Sequence, residues 1–310
     1  MRYKMKKNVM LTLFLAALLT GCGEYSAVQK SADYDYRYEV AKANYAEGKY
    51  SKASQLLGDL LAPLKGTQNG EESLYMIAQC CFKSKDYETA STFYRKYYQS
   101  YPKGEFVEQA RYGCGYSLYK MTPDPRLDQS STMESITEFQ NFLDLYPHTS
   151  LREQTTQMIY ALQDKLVEKE FLSAKLYYDL GSYVGNMTYG GSNYEACVVT
   201  AANALKDYPY ASAERREEFA VMIVRAKYQL AMKSVEEKRV ERFRSVVDEC
   251  YAFRNDYPES THLKEVNSML SNAESSSKEI HRKNILYFSY KLNRLKNKQK
   301  LKISAPFHQK

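Results

Sequence analysis

YEVAKANY (38–45), YMIAQCCF (75–82) and YGCGYSLY (112–119) are three copies of one pattern, spaced 37 residues apart within the stretch from Asp35 to Lys120. An aromatic residue opens and closes each copy, and alanine or glycine stands at its fourth position. Seven residues are nearly two helical turns, so both aromatic side chains share one face of a helix. The small residue leaves room for a neighbouring helix. The pattern is typical of proteins built from repeated helices.

The dipeptide Tyr-Pro marks the ends of later helices. Proline stops a helix and moves the residue before it out of the α region. The dipeptide occurs at Tyr101-Pro102, Tyr146-Pro147, Tyr208-Pro209 and Tyr257-Pro258. Counting back five positions from each proline gives Tyr97, Phe142, Ala204 and Phe253. We therefore predict an all-α fold, a tetratricopeptide-repeat (TPR) superhelix of about five helix–turn–helix repeats.

These signals divide the body of the chain into two groups of repeats. We expect repeats 1 to 3 within residues 34–147, and repeats 4 and 5 with a capping helix within residues 148–280. The segment Leu151–Leu180 is apolar at helical spacing and is predicted to form one bent helix or two, ended by Gly181. Gly185–Asn193 is predicted to be a glycine-rich loop.

The N-terminus has the pattern of an export signal rather than of a folded element. Basic residues precede a short apolar run in residues 1–21, and Leu19-Thr20-Gly21-Cys22 follows, which is similar to a bacterial lipobox. We predict a signal peptide over residues 1–21, lipidation of Cys22 and a tether over residues 22–33. An ordinary secretory signal that happens to end near a cysteine is the alternative. The predicted location is the outer membrane, lipid-anchored and facing the periplasm.

Charge is concentrated at the other end of the chain. Ile280–Lys310 contains nine lysine or arginine residues and no acidic residue, whereas the rest of the mature chain is mildly acidic. A solvated and mostly disordered basic tail over residues 281–310 is one interpretation. Contact with anionic headgroups or with an acidic partner is the other. Nucleic acid is not an expected partner of an exported lipoprotein.

The sequence contains no catalytic constellation. It lacks a phosphate-binding loop, an HExxH helix and a nucleophile elbow, and its four histidines are widely scattered. We therefore expect no enzymatic activity, no metal site and no cofactor. Five cysteines follow the lipobox, none with zinc-finger spacing, and we interpret them as small buried residues rather than a disulfide framework: Cys80, Cys81, Cys114, Cys197 and Cys250.

A lipobox followed by Tyr-Pro-punctuated repeats resembles the BamD family, the TPR lipoproteins of the β-barrel assembly machine. The resemblance covers about Tyr34 to Leu270. Its most specific part is the long mid-chain helix from Leu162 to Glu170 that leads to Tyr177-Tyr178. Val199-Thr200 stand where enterobacterial members carry Asn-Arg in their contact region for BamA.

The resemblance implies a scaffold that receives unfolded outer-membrane β-barrel proteins and docks on the POTRA domains of BamA for their insertion. It also implies other assembly-complex lipoproteins as partners. The N-terminal repeats would hold the client and the C-terminal repeats would contact BamA. The candidate peptide groove combines the repeated aromatic residues with the residues between them: Tyr38, Lys42, Tyr45, Tyr75, Gln79, Phe82, Tyr112, Tyr116 and Tyr119. Packing of some of these rings between helices is the alternative.

Two other classes of protein share parts of this pattern. Another periplasmic TPR lipoprotein, serving as an adaptor for a protease or a cell-wall enzyme, would have similar repeats. A glycan-binding lipoprotein of the SusD type is also helical, but such proteins are longer and stack sugars on tryptophan. This chain has 30 tyrosines and no tryptophan, which argues against the glycan-binding class.

Overall fold

The computed structural model describes residues 25–181, 183 and 192–303, and these residues are helical with no β-strand. Residues 1–24, with the predicted signal peptide and Cys22, lie outside the described residues, as do most of the Gly185–Asn193 loop and residues 304–310. Consecutive helices pack against each other along the chain. The prediction of an all-α array of helix–turn–helix repeats is confirmed.

Eleven long helices are described. They are α1 (Tyr34–Ala46), α2 (Tyr50–Leu60), α3 (Gln68–Lys83), α4 (Tyr87–Ser100), α5 (Val107–Met121), α6 (Ser130–Leu145), α7 (Arg152–Leu180), α8 (Asn193–Asp207), α9 (Ala213–Met232), α10 (Glu236–Asp256) and α11 (Leu263–Ile303). Helix α7 is a single helix, and Gly181 follows it with a φ of 51°.

The Tyr-Pro signals end helices as predicted. Each of the four tyrosines is the C-cap of its helix, and its backbone N–H donates to the carbonyl four residues earlier, at 2.8–3.0 Å. Those carbonyls belong to residues that lie in the core with at most 2% of their surface exposed: Tyr97, Phe142, Ala204 and Phe253. The position five before each proline is therefore a core position that also caps the helix end.

The turn between α1 and α2 has an equivalent between α3 and α4. Gly48 adopts a φ of 76°, and Lys85, 37 positions later, adopts a φ of 64°. A left-handed backbone conformation costs little free energy at glycine and more at a residue with a Cβ atom. The second copy offsets part of this cost because the side chain of Asp86 accepts a hydrogen bond from the backbone N–H of Thr89 at 3.2 Å and caps α4.

The described chain forms two compact units, which meet at Gln163 and Asp164. This division falls inside α7 rather than after Pro147, where the sequence placed the change between repeat groups. Apolar contacts decide it. Ile159 and Leu162 pack in a core with Phe139 of α6, whereas Val167 belongs to the core of α8 and α9. The first unit is called here the N-terminal unit and the second the C-terminal unit.

The small fourth position of each repeat copy is buried, as the pattern predicts. Ala41 and Ala78 have no exposed surface, and Gly115 is buried too. A Cβ atom on Gly115 would lie 2.7 Å from the ring of Phe139 in α6. Glycine at this position allows the ring to reach the backbone of α5.

Two segments are more ordered than the sequence predicted. Within the expected tether, residues 25–29 are helical, Tyr25 and Val28 pack against the first core, and the Tyr25 hydroxyl donates to the carbonyl of Lys52 at 3.2 Å. The expectation of a mostly disordered segment after Ile280 is wrong up to Ile303, because α11 continues to that residue. The stretch lacks glycine and proline and is rich in lysine, leucine and arginine, which favour helix.

Candidate functional site

The aromatic residue that opens each repeat copy packs between helices of the N-terminal unit. Tyr38 is 2% exposed and belongs to the core of α1, α2 and α3. Tyr75 stacks on Phe106 with ring centroids 4.6 Å apart, and Tyr112 packs against Phe142 at 5.7 Å. Tyr38 is therefore buried between helices, whereas Tyr75 and Tyr112 are half-buried and contact rings of neighbouring elements.

The fifth and eighth positions of each copy form a surface that connects successive repeats. The Tyr45 hydroxyl in α1 donates to Oε1 of Gln79 in α3. Phe82 in α3 stacks on Tyr116 in α5, with centroids 5.5 Å apart and planes inclined by 30°. The eighth position of one copy therefore contacts the fifth position of the next in both cases. These residues define the inter-repeat row, all of them half-buried: Lys42, Tyr45, Gln79, Phe82, Tyr116 and Tyr119.

A second layer of rings supports the inter-repeat row. Tyr45 makes an edge contact with Tyr50 at 5.7 Å, and Phe82 makes an equivalent contact with Tyr87 at 5.3 Å. Tyr50 and Tyr87 are themselves 37 residues apart, so the periodicity carried a signal for them, although sequence reasoning did not include them in the candidate site. Tyr50 and Tyr87, the first residues of α2 and α4, therefore pack beneath the row.

The third copy extends the row along α5. Tyr116 stacks on Tyr112 at 5.6 Å and on Tyr119 at 6.0 Å, with interplanar angles of 15° and 12°. Lys120 is exposed and places its Nζ atom 5.0 Å from the centre of the Tyr116 ring. Interaction with the Tyr116 side chain raises the pKa of Lys120 above its ordinary value, and the ammonium group stays charged at neutral pH. Sequence reasoning missed Lys120.

The other end of the row is also charged. Lys42 lies 3.6 Å from a carboxylate oxygen of Glu72 and 5.2 Å from the centre of the Tyr38 ring. Between the two lysines the row consists of tyrosine, glutamine and phenylalanine side chains, and burial raises the pKa of Tyr45 above its ordinary value. Such a surface offers aromatic faces and one amide to a ligand but no strong nucleophile or base.

The described residues include five cysteines but no metal-binding cluster. No group of three or more histidine, cysteine or acidic side chains among them could hold a metal ion. The interpretation of the cysteines as unpaired, packed residues is confirmed. All five are free, and four are buried while Cys81 is half-buried. Burial raises the pKa of the Cys80, Cys114 and Cys197 thiols to about 12, which keeps them protonated and unreactive.

The first helices of successive hairpins in the C-terminal unit are joined by ion pairs. Arg225 in α9 binds Glu265 in α11 through two hydrogen bonds of 2.8 and 2.6 Å. Arg215 in α9 contacts Glu168 in α7 at 2.6 Å and lies over the ring of Phe171 at 4.1 Å. The hydrogen bond from Arg225 holds the pKa of Glu265 below its ordinary value. These charges are satisfied within the unit.

Among the described residues, no helix is both long enough and apolar enough to cross a bilayer. Together, the paired helices and the contacts between successive hairpins define a helical-repeat protein. Residues 31–243 match the YfiO family, described as outer membrane lipoprotein. The chain belongs to this family.

Curated relatives carry related descriptions at low identity. A putative outer membrane protein assembly factor BamD of Aquifex aeolicus is 24% identical over 53% of this chain and 54% of its own length. BamD of Rickettsia prowazekii is 24% identical and BamD of Pasteurella multocida 20% identical, each over 56% of this chain and 70% of the relative. The match therefore spans about half the length of the first relative and 70% of the length of each of the other two.

A solved structure titled as the TPR2AB-domain:pHSP90-complex of yeast Sti1 is 12% identical to this chain. The match covers 78% of this chain and 98% of the solved chain, with a TM-score of 0.36. The fold assignment rests on the helix pairing described above and not on this similarity.

Proposed function

We propose that the protein is an outer-membrane protein assembly factor that acts as a scaffold and not as an enzyme. The observation that carries this proposal is the family match over residues 31–243, which includes residues of both units. The description of three relatives as BamD assembly factors supports it. The inter-repeat row, which is mostly aromatic, suits the holding of a chain rather than its chemical conversion.

The N-terminal unit receives unfolded outer-membrane β-barrel proteins along the inter-repeat row. Side chains on one face of an extended strand recur about every 6.6–6.8 Å. The ring centroids of Phe82, Tyr116 and Tyr119 are successively 5.5 and 6.0 Å apart, a similar spacing. Alternate aromatic side chains of a client strand can therefore contact successive rings, each contact contributing roughly 0.5–1.5 kcal/mol beyond area burial. Such contacts give reversible binding.

The C-terminal unit docks on the POTRA domains of a BamA-type partner. Support comes from the resemblance of this region to the BamD family and from the chemistry of its surface. Val199 in α8 is 54% exposed, at the place where enterobacterial members carry Asn-Arg. Val199 is accessible and uncharged. It would therefore make an apolar contact with the BamA-type partner where enterobacterial members make a charged one.

Lipidation of Cys22 anchors the protein to the outer membrane on its periplasmic side. The lipobox Leu19-Thr20-Gly21-Cys22 and membership of a family of outer membrane lipoproteins support this assignment. Cys22→Ala should move the protein from the membrane fraction to the soluble periplasmic fraction. Full retention of the variant in the outer membrane would contradict a role for the acyl chains.

Affinity purification from detergent-solubilised outer membranes tests the assembly role. We expect a POTRA–barrel protein to co-purify with the full chain and to be lost with a variant that carries Val199→Glu on the C-terminal unit. An exposed valine at the N-cap of α10, changed by Val235→Glu, provides the control. Recovery of a protease or a cell-wall enzyme in place of a barrel protein would instead assign the chain to the other envelope adaptors.

A further inference from the structure

Helix α11 continues well beyond the body that it caps. Its first part packs against α10, and Ile280, at 9% exposure, is its last buried residue among those whose exposure is described. The helix then runs to Ile303, a distance of about 35 Å at the usual rise per residue. This second part, residues 281–303, is called here the basic extension.

Apolar residues are exposed on one side of the basic extension. Ile285 and Leu292 are each 56% exposed and are seven positions apart, which places both on the same face of the helix. Phe288 and Leu295 follow three and ten positions after Ile285, so the helical period puts their backbone positions on that side as well. A helix packed in a protein core would bury such a stripe.

The charge of the basic extension has one sign only. It contains eight lysine or arginine residues and no aspartate or glutamate. Arg282 and Lys291 are exposed, as are Ser289 and the two apolar residues. Eight positive charges with no acidic neighbour on the same segment repel each other, and an anionic surface would relieve this repulsion.

We propose that the basic extension binds the surface of an anionic phospholipid membrane. Exposed apolar residues combined with many lysine and arginine residues, of which Arg282 shares the face of Ile285, are features of helices that bind the surface of an anionic bilayer. Such helices gain free energy both from burial of the apolar face and from attraction to anionic headgroups. The extension does not qualify as a spanning helix among the described residues, which fits binding at the surface. This contact would be additional to any acyl anchor and independent of client binding.

Co-sedimentation with vesicles tests the proposal with the chain from Gly23 to Lys310, which cannot be acylated at Cys22. Vesicles of equal parts phosphatidylcholine and phosphatidylglycerol should bind the protein, and vesicles of phosphatidylcholine alone should bind it much more weakly. Raised salt should weaken the binding to anionic vesicles, because screening shortens the reach of the headgroup charge.

Two double variants separate the apolar and the electrostatic contributions. Ile285→Ser with Leu292→Ser should lower partitioning onto anionic vesicles by about tenfold, since it removes the exposed apolar pair. Arg282→Gln with Lys291→Gln should lower it by a similar factor of about ten. Exposed residues elsewhere in the C-terminal unit give matched controls, Met232→Ser with Val235→Ser and Lys238→Gln with Lys264→Gln, which should bind as the unchanged protein does.

Several results would overturn the proposal. These are equal binding to neutral and anionic vesicles, no vesicle binding, or unchanged binding by both double variants. Binding to immobilised polyglutamate with the same residue dependence, in the absence of vesicle binding, would assign the extension to an acidic protein. Dimerisation that disappears with Ile285→Ser and Leu292→Ser would assign it to a second copy of the chain. None of these results would affect co-purification of a barrel protein, so the assembly role is tested separately.

Discussion

The two units share one architecture but differ in the main contacts between successive hairpins, since the Lys42–Glu72 pair of the N-terminal unit is a single contact of 3.6 Å. In the N-terminal unit, Phe82 of α3 stacks on Tyr116 of α5, and both side chains are neutral and half-buried. In the C-terminal unit, Arg225 of α9 and Glu265 of α11 close a bidentate ion pair. The charged groups of a closed ion pair already bind each other and have few free hydrogen-bonding positions for a ligand. A half-exposed ring can still bury apolar surface against a ligand. The difference favours the N-terminal unit as the client-binding part in the proposed function.

The largest expected effect tests whether the two units have equivalent cores. Phe142 and Phe253 both stand five positions before a proline, and both are at most 2% exposed. Phe142→Ala and Phe253→Ala should each reduce the free energy of unfolding by about 3–5 kcal/mol, through lost burial and the cavity left behind. Urea denaturation followed by circular dichroism measures both.

Exposed residues provide the controls for the core comparison. Leu145→Ala and Tyr251→Ala change side chains that are 55% and 50% exposed, and should alter the free energy of unfolding by less than about 0.5 kcal/mol. A small effect for only one of the two phenylalanines would show that its unit is not built on the same repeat position.

The next prediction separates the inter-repeat row from the rings that pack beneath it. Tyr45→Ala, Phe82→Ala and Tyr119→Ala should each weaken binding of a labelled barrel-strand peptide by about two- to tenfold, from the loss of one ring contact. Tyr38→Ala should instead lower the free energy of unfolding by about 3–5 kcal/mol, because the ring is buried. Fluorescence anisotropy measures the affinity, and thermal melting the stability.

Tyr251→Ala, which removes an exposed ring from the C-terminal unit, is the control for peptide binding. Its affinity for the peptide should equal that of the unchanged protein. If the three row variants bind normally while losing several kcal/mol of stability, the row is part of the core and the client-binding surface lies elsewhere.

A smaller effect tests whether two copies within the N-terminal unit are equivalent. Gly48 and Lys85 hold the same left-handed position in their turns. Lys85→Gly should raise the free energy of unfolding by about 1 kcal/mol, and Gly48→Ala should lower it by about 1 kcal/mol, because a Cβ atom disfavours this backbone region. Thermal melting should show shifts in opposite directions. Shifts of the same sign would mean that the side-chain contacts of Lys85 outweigh the backbone preference.

The smallest effect concerns the ion pair of the C-terminal unit. A carboxyl whose pKa is lower in the folded state stabilises the protein above its unfolded pKa, and this contribution disappears as the pH falls through the folded value. Because both side chains are partly exposed, Glu265→Gln should cost less than about 1 kcal/mol at pH 7. The difference from the unchanged protein should vanish in acid, as measured by urea midpoints. Glu259→Gln is the control, and a penalty that persists in acid would contradict the charge-based explanation.

The sequence alone determined the features that depend on near neighbours. The 37-residue pattern predicted α1, α3 and α5, and Tyr-Pro predicted the ends of four helices, because periodicity and capping involve residues within one or two turns. The close approach of a neighbouring helix at Gly115 followed from the same periodicity. These features need no knowledge of how distant helices cross.

Only the tertiary structure decided which aromatic residues are buried and which line a surface. Tyr38 and Tyr45 look alike in the sequence and share a helix face, yet one lies in the core and the other reaches Gln79 of the next hairpin. The division of α7 between two cores was likewise set by contacts of Ile159 and Val167 with different helices. A helix face several residues wide is covered only where neighbouring helices cross it, and the crossing depends on side chains far away in the chain.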